Sequence, residues 1–150
     1  MHFVAANPAF EARVRASFAR QAAMRFIGAR LADVAPGRCT IELPVHPDLS
    51  QQHGFVHGGI VGMIADSAGG YSAFSLMPDD ASVLTVEFKI NLLAPARGDL
   101  LIAAGAVVKP GRTLSIARAD VFARENGRET LIATLQQTLM VMQGVADEPT

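Results

Sequence analysis

The sequence has a single cysteine, a single tyrosine and no tryptophan, and only 18% of it is charged. Each shortage excludes something. One thiol, Cys39, cannot close an intrachain disulfide, so a disulfide-stapled secreted scaffold is excluded. A formal net charge of −1 leaves no cationic excess for general nucleic-acid affinity. No segment combines the basic start, apolar centre and small-residue cleavage site of a signal peptide, and a cytoplasmic location is expected. Phosphate-cradling glycine loops of the nucleotide-binding kinds are missing. Without a repeat, a linker or a shift in composition, the 150 residues read as one domain, 1–150, with room for a full core.

Apolar surface is plentiful instead. Hydrophobic residues make up 50% of the chain, more than a soluble monomer needs, and the excess is read as subunit interfaces. The longest apolar stretch organises the rest. From Gly58 to Pro78 the single formal charge is Asp66, set among Ile60, Val61, Met63, Ile64, Tyr71 and Phe74. A helix apolar nearly all round is a buried helix, expected here to about Leu76. A carboxylate in it costs several kcal/mol unless paired, hydrogen-bonded or protonated. At helical spacing Asp66 has Gly59, Gly62, Gly69, Gly70 and Ala73 beside it. That side-chain-poor stripe means either close packing or room for a ligand. As a membrane span the stretch is long enough, but Asp66 at its centre would cost about 3 kcal/mol. The Arg-rich start (Arg13, Arg15, Arg20, Arg25, Arg30) has a transit-peptide composition. A packed amphipathic helix suits it better, since Phe10, Val14 and Phe18 recur every fourth residue.

Taken in order, Asn7-Pro8 is a helix start, and the first helix is expected over about 8–24. Strands are expected over Gly28–Val34 and Arg38–Val45, around the turn at Pro36-Gly37. A polar loop then leads to the long helix. Leu84 to Leu92 alternates strictly, with Leu84, Val86, Phe88, Ile90 and Leu92 on one expected buried face. Leu100 to Val108 reads as a strand covered on both faces. Thr113–Arg124 and Glu129–Met142 flank Asn126-Gly127, a strong hairpin signal. The tail from about 143 is expected to be loose. A meander this long must bury one face, and the long helix is its only large apolar partner. The fold class is therefore α+β, an antiparallel β-sheet wrapped around a long central α-helix.

Several chemistries fit poorly. His53 and His57 have metal-ligand spacing only if the segment is helical, and Gly54 stands between them. Cys39 lies mid-strand without a base. Ser67, Ser72 and Ser75 lie within the long helix, not on a nucleophile elbow. Gln51, the His57-Gly58-Gly59 turn and Asp66 remain. Backbone N–H groups at Gly58 and Gly59 open a helix, where donors lack intrahelical partners and can hold an oxyanion. Missing side chains let a carbonyl approach. Gln51 adds an amide donor and Asp66 a base or nucleophile, which together are the parts for acyl transfer. His57 itself is read as a helix-start residue bonding nearby backbone.

The spacing Gln51-x-x-Gly54-x-x-His57-Gly58-Gly59 followed by Asp66 resembles the signature of hotdog-fold acyl-CoA thioesterases of the phenylacetate-pathway (PaaI-like) type. The Val83–Leu93 segment with Ala94-Pro95-Ala96-x-Gly98-Asp99, and Gly111-Arg112-Thr113-Leu114, are similar to that family too. The resemblance spans about residues 10–142. It implies hydrolysis of an acyl-CoA thioester to a carboxylic acid and CoA, with no metal or organic cofactor. It implies that Gln51 and the Gly58 N–H stand at the thioester carbonyl, and that Asp66 is nucleophile or general base. Thr85 matches a Ser/Thr position that helps place water, and His57 and Gly59 fall with the substrate-contacting turn. The resemblance further implies a homodimer that pairs into a homotetramer.

Two expectations are open. Alternation places Thr85 on the polar face with Glu87 and Lys89, away from the helix, unless a bulge or subunit boundary intervenes. Lys109, Gly111 and Arg112, at a hairpin tip, are candidates to hold the CoA nucleotide. Rival readings are a hotdog-fold acyl-CoA dehydratase, which would need the His57 ring as base, and a non-catalytic acyl-CoA-binding protein, for which a buried acid is unnecessary.

Overall fold

The computed structural model describes residues 2–148. The elements are α1 (Phe10–Arg20), α2 (Ala22–Ile27), β1 (Arg30–Ala35), β2 (Arg38–Pro44), α3 (Gly58–Phe74), β3 (Ala81–Leu92), β4 (Leu100–Lys109), β5 (Leu114–Glu125) and β6 (Arg128–Gln143). A short 3-10 turn at Pro47–Leu49 lies in the loop before α3. The strands form one sheet in the order β1-β2-β4-β5-β6-β3, every neighbour antiparallel. α3 lies across its concave side, packed on β2, β3, β4, β5 and β6.

The core follows from alternation. Leu101, Ala103 and Val107 of β4, Ala117, Ala119 and Val121 of β5 and Leu135 and Leu139 of β6 are buried beneath α3. Small residues there let the helix settle closely. A Cβ on Gly105 would collide with the backbone carbonyl of Ala68, so α3 touches the sheet where there is no side chain. β4 is covered on one face only in this chain, since Ile102, Ala104 and Ala106 stay half-exposed on the convex side. Asn126 and Gly127 take φ of 51° and 78°, the two left-handed positions of a tight hairpin turn between β5 and β6.

Three expectations change. The single helix over 8–24 is two helices, because Gln21 is extended with ψ 96° and breaks the hydrogen-bond ladder. Val14, Met24 and Ile27 still supply the buried face. The central helix ends at Phe74, and the chain continues through turns to Pro78. Gln143 closes β6, and beyond it Asp147 is held by Arg20 of α1 at 2.7 Å, which ties the tail to the N-terminal helix.

The expected buried face of β3 is divided. A register shift between Thr85 and Glu87 marks a β-bulge at Val86. One extra residue moves every following side chain to the other face. Thr85 pairs with buried Leu139, and Phe88 and Ile90 pair with buried Gln137 and Leu135, so all three face α3. β3 is also a sheet edge. Leu84, Val86, Phe88 and Leu92 are therefore about half exposed, where alternation alone expected burial.

Candidate active site

The bulge decides where the Thr85 side chain points. It turns Thr85 inward, and its hydroxyl donates to Asp66 Oδ1 at 2.7 Å. Asp66 sits on α3, half-buried, and burial raises its carboxyl above the usual range while the Thr85 hydrogen bond pulls it back. The carboxylate is thus oriented by one donor and has no cation within salt-bridge reach among the described residues.

At the other end of the stretch the loop prepares a donor pair. His57 N-caps α3, its Nδ1 accepting from Gly59 N–H at 2.8 Å. The Gly59 donor is thereby used, which corrects its expected availability to an oxyanion. The Gly58 N–H has no protein acceptor among the described residues. Gln51 is fixed by Gln51 N–H donating to Phe55 O and by its own carbonyl accepting from Gly54 N–H. Its Oε1 accepts from His53 N–H, which leaves the side-chain NH2 free to donate. Gln51 and Gly58 line one cavity of about 390 Å³ with Phe55, Val61, Leu92 and Pro95.

A groove of about 480 Å³ runs along α3 past Gly58, Gly59, Gly62 and Asp66, walled by Phe88, Ile90 and Leu92 of β3. A further cavity of about 410 Å³ lies on the other side of Asp66 and Thr85, between α1, α3, β3 and the tail. It is bounded by Ser17, Gln21, Tyr71, Met142 and Asp147 among others, and no sequence pattern pointed to it. The glycine stripe serves both of its meanings. Gly62 leaves room on the groove, with nothing nearer than Ile90, while Gly59 lies against the His57 ring and Gly69 against the side chain of Gln137.

Lys109, Gly111 and Arg112 are exposed at the β4–β5 hairpin and line none of these cavities. The backbone beside them reaches Gln143, whose Nε2 donates to Arg112 O at 3.4 Å, so the hairpin stands at the Thr85 end of the sheet. Cys39 is buried beneath the helices and its thiol is pushed up to about 12 by desolvation, an inert core position.

Among known proteins, the model of the thioesterase superfamily matches residues 53–130. The crystal structure of a thioesterase family protein from Silicibacter pomeroyi is 50% identical, with a TM-score of 0.89 over 90% of this chain and 99% of that one. Acyl-coenzyme A thioesterase 13 of Mus musculus is 27% identical over 65% of this chain and 70% of its own. The E. coli PaaI protein of the phenylacetic acid degradation operon shares the fold at 17% identity, with a TM-score of 0.81 over 91% of this chain and 96% of that one.

Proposed function

The chain belongs to the thioesterase superfamily and is a thioester hydrolase of hotdog fold; from that premise we propose that it cleaves acyl-CoA to the free acid and CoA at a site shared by two subunits. Asp66, held by Thr85, is the observation that carries the reading. The acyl-CoA class is supported by the similarity to acyl-coenzyme A thioesterase 13. The carboxylate either takes a proton from the attacking water or attacks the thioester carbon itself, forming an anhydride that water opens. In both routes the C–S bond breaks, the oxyanion collapses, and the thiolate leaves to be protonated. Gly58 N–H and the Gln51 amide supply donors for the oxyanion. His57 Nδ1 accepts from Gly59 N–H, so the neutral ring carries its proton on Nε2 and has no free basic nitrogen, which argues against the dehydratase reading.

Sharing follows from helix geometry. Gly58 and Asp66 are eight residues apart on α3, about 12 Å along its axis. Donor and nucleophile must each come within about 3 Å of one carbonyl. Two antiparallel copies of α3 bring Gly58 and Gln51 of one subunit opposite Asp66 of the other. The free edge of β3, long and apolar, is a template for pairing with a second copy. Pairing of such dimers into a tetramer would cover the apolar convex residues Leu84, Leu114 and Met140, which line up across β3, β6 and β5. Lys109, Gly111 and Arg112 are assigned to the CoA nucleotide, and the location is cytoplasmic. The test is thiol release from a panel of acyl- and aryl-acyl-CoA esters. Wild type should release thiol, and Asp66→Ala should lose about a hundredfold or more in kcat. A protein that hydrates enoyl-CoA without releasing thiol, or binds esters without cleaving any, would retire the proposal.

A further inference from the structure

The buried face of β6 runs Leu135, Gln137, Leu139, and a glutamine stands where the pattern asks for a third apolar residue. Gln137 is 2% exposed. Its Nε2 donates to the backbone carbonyl of Asp66 at 3.2 Å. Its Oε1 is the one buried side-chain polar atom among the described residues with no hydrogen-bond partner. A polar group kept in an apolar layer with half its capacity unmet opposes stability. α3 is moreover shaped to admit it. A Cβ on Gly69 would lie 2.7 Å from Gln137 Oε1 and 2.9 Å from its Cδ, so the amide fits only because residue 69 has no side chain.

We infer that Gln137 is a positioning residue for the reaction, anchoring the turn of α3 that presents Asp66, with Gly69 as the notch that receives it. The inference rests on the reading of Asp66 as the reacting carboxylate. The need is mechanical. Ile64, Ala65 and Ala68 pack this part of α3 into the core, but the face that carries Gly62, Gly69 and Gly70 and meets Ile90 and Gln137 has no side chains to key it to the sheet. Gln137 replaces them with a directed bond. Asp66 is then held at two points from neighbouring strands. Thr85 of β3 grips the carboxylate and Gln137 of β6 grips the backbone, and Phe88, just past the bulge, pairs with Gln137 itself. Fixing both ends sets where the carboxylate points, and displacement of about 1 Å is enough to cost a hundredfold in rate.

Gln137→Met keeps the length and removes the amide, and Gly69→Ala keeps the amide and closes its notch. For Gln137→Met the expected result is a midpoint of thermal unfolding equal to or above wild type, kcat lowered tenfold or more, and KM changed less than threefold. Gly69→Ala should lose kcat in the same way. A second readout needs no turnover: carbon-13 NMR of the Asp66 carboxyl, whose titration midpoint should rise in Gln137→Met as the Thr85 bond loosens. If wild type releases no thiol from any ester, the thioesterase reading fails, and the NMR titration still decides the anchor. Wild-type kcat with an unmoved titration in Gln137→Met would overturn the inference. So would a loss of kcat in step with lost thermal stability and with the Asp66 titration unmoved, since that marks a packing role only.

Discussion

Mixing two dead subunits should restore activity that neither has alone. The perturbation is Gln51→Ala in one preparation and Asp66→Ala in another. Gln51 Oε1 is taken up by the loop, so its NH2 is the donor lost from the proposed site, while Asp66→Ala removes the proposed reacting group. Each parent should fall about a hundredfold, the scale for one oxyanion donor or one acid–base group. Neither change should unfold the protein, since Gln51 lines an open cavity and Asp66 is an unpaired charge on a half-buried face. After joint unfolding and refolding, about half of the dimers carry one subunit of each kind. If Gln51 and Gly58 act across the interface on the partner's Asp66, a mixed dimer has one site with both lesions and one with neither. The expected rate is then about a quarter of wild type for the whole mixture, and about half for isolated mixed dimers. Each parent refolded alone is the control. Thiol release at saturating ester reads the rate, and two different affinity tags isolate the mixed species. Were each site built within one chain, a mixed dimer would hold two singly damaged sites. Folded mixed dimers as inactive as their parents would therefore refute the shared site inferred from the separation of Gly58 and Asp66 along α3.

Two further outcomes follow from the site. The acid limb of kcat/KM should report Asp66, with a midpoint above the 3.8 of an ordinary aspartate because burial disfavours the charge; activity is lost as pH falls through it. Thr85→Val removes the hydrogen bond that lowers this value, so the limb should move to higher pH, and a limb that stays put would show that the bond does not form in the working enzyme. Neutralising Lys109 and Arg112 together should raise KM several-fold for CoA esters and leave a short pantetheine-like thioester unaffected. Equal effects on both substrates would remove the hairpin from the nucleotide site.

Much of the candidate site was legible because its signals are local. A helix start is a property of a few consecutive residues, and His57-Gly58-Gly59 declares one. The charge on Asp66 is conspicuous because nothing else in that stretch carries one. Strand alternation and the Asn126-Gly127 turn likewise need no knowledge of distant residues, and they place five of the six strands within two residues of their ends. β3 alone begins earlier than the alternation, at Ala81.

Tertiary structure decided what depends on strand partners. Period-two alternation continues unbroken through Leu84–Leu92, yet the bulge at Val86 appears only as a mismatch against β6. That mismatch carries Thr85 from the expected polar face to the Asp66 carboxylate. Strand order is equally non-local. Nothing in the residues of β3 says that it ends the sheet, and so its apolar residues read as buried when they wait at an edge. Gln137 drew no reading from the sequence, because its meaning depends on Gly69 and the Asp66 carbonyl far back in the chain. The sequence by itself determined the helix, its single charge, the donor turn and the meandering strands, because near neighbours set those. The fold alone determined which side chains meet, because a one-residue bulge or a strand's place in the sheet changes every contact without changing any local pattern.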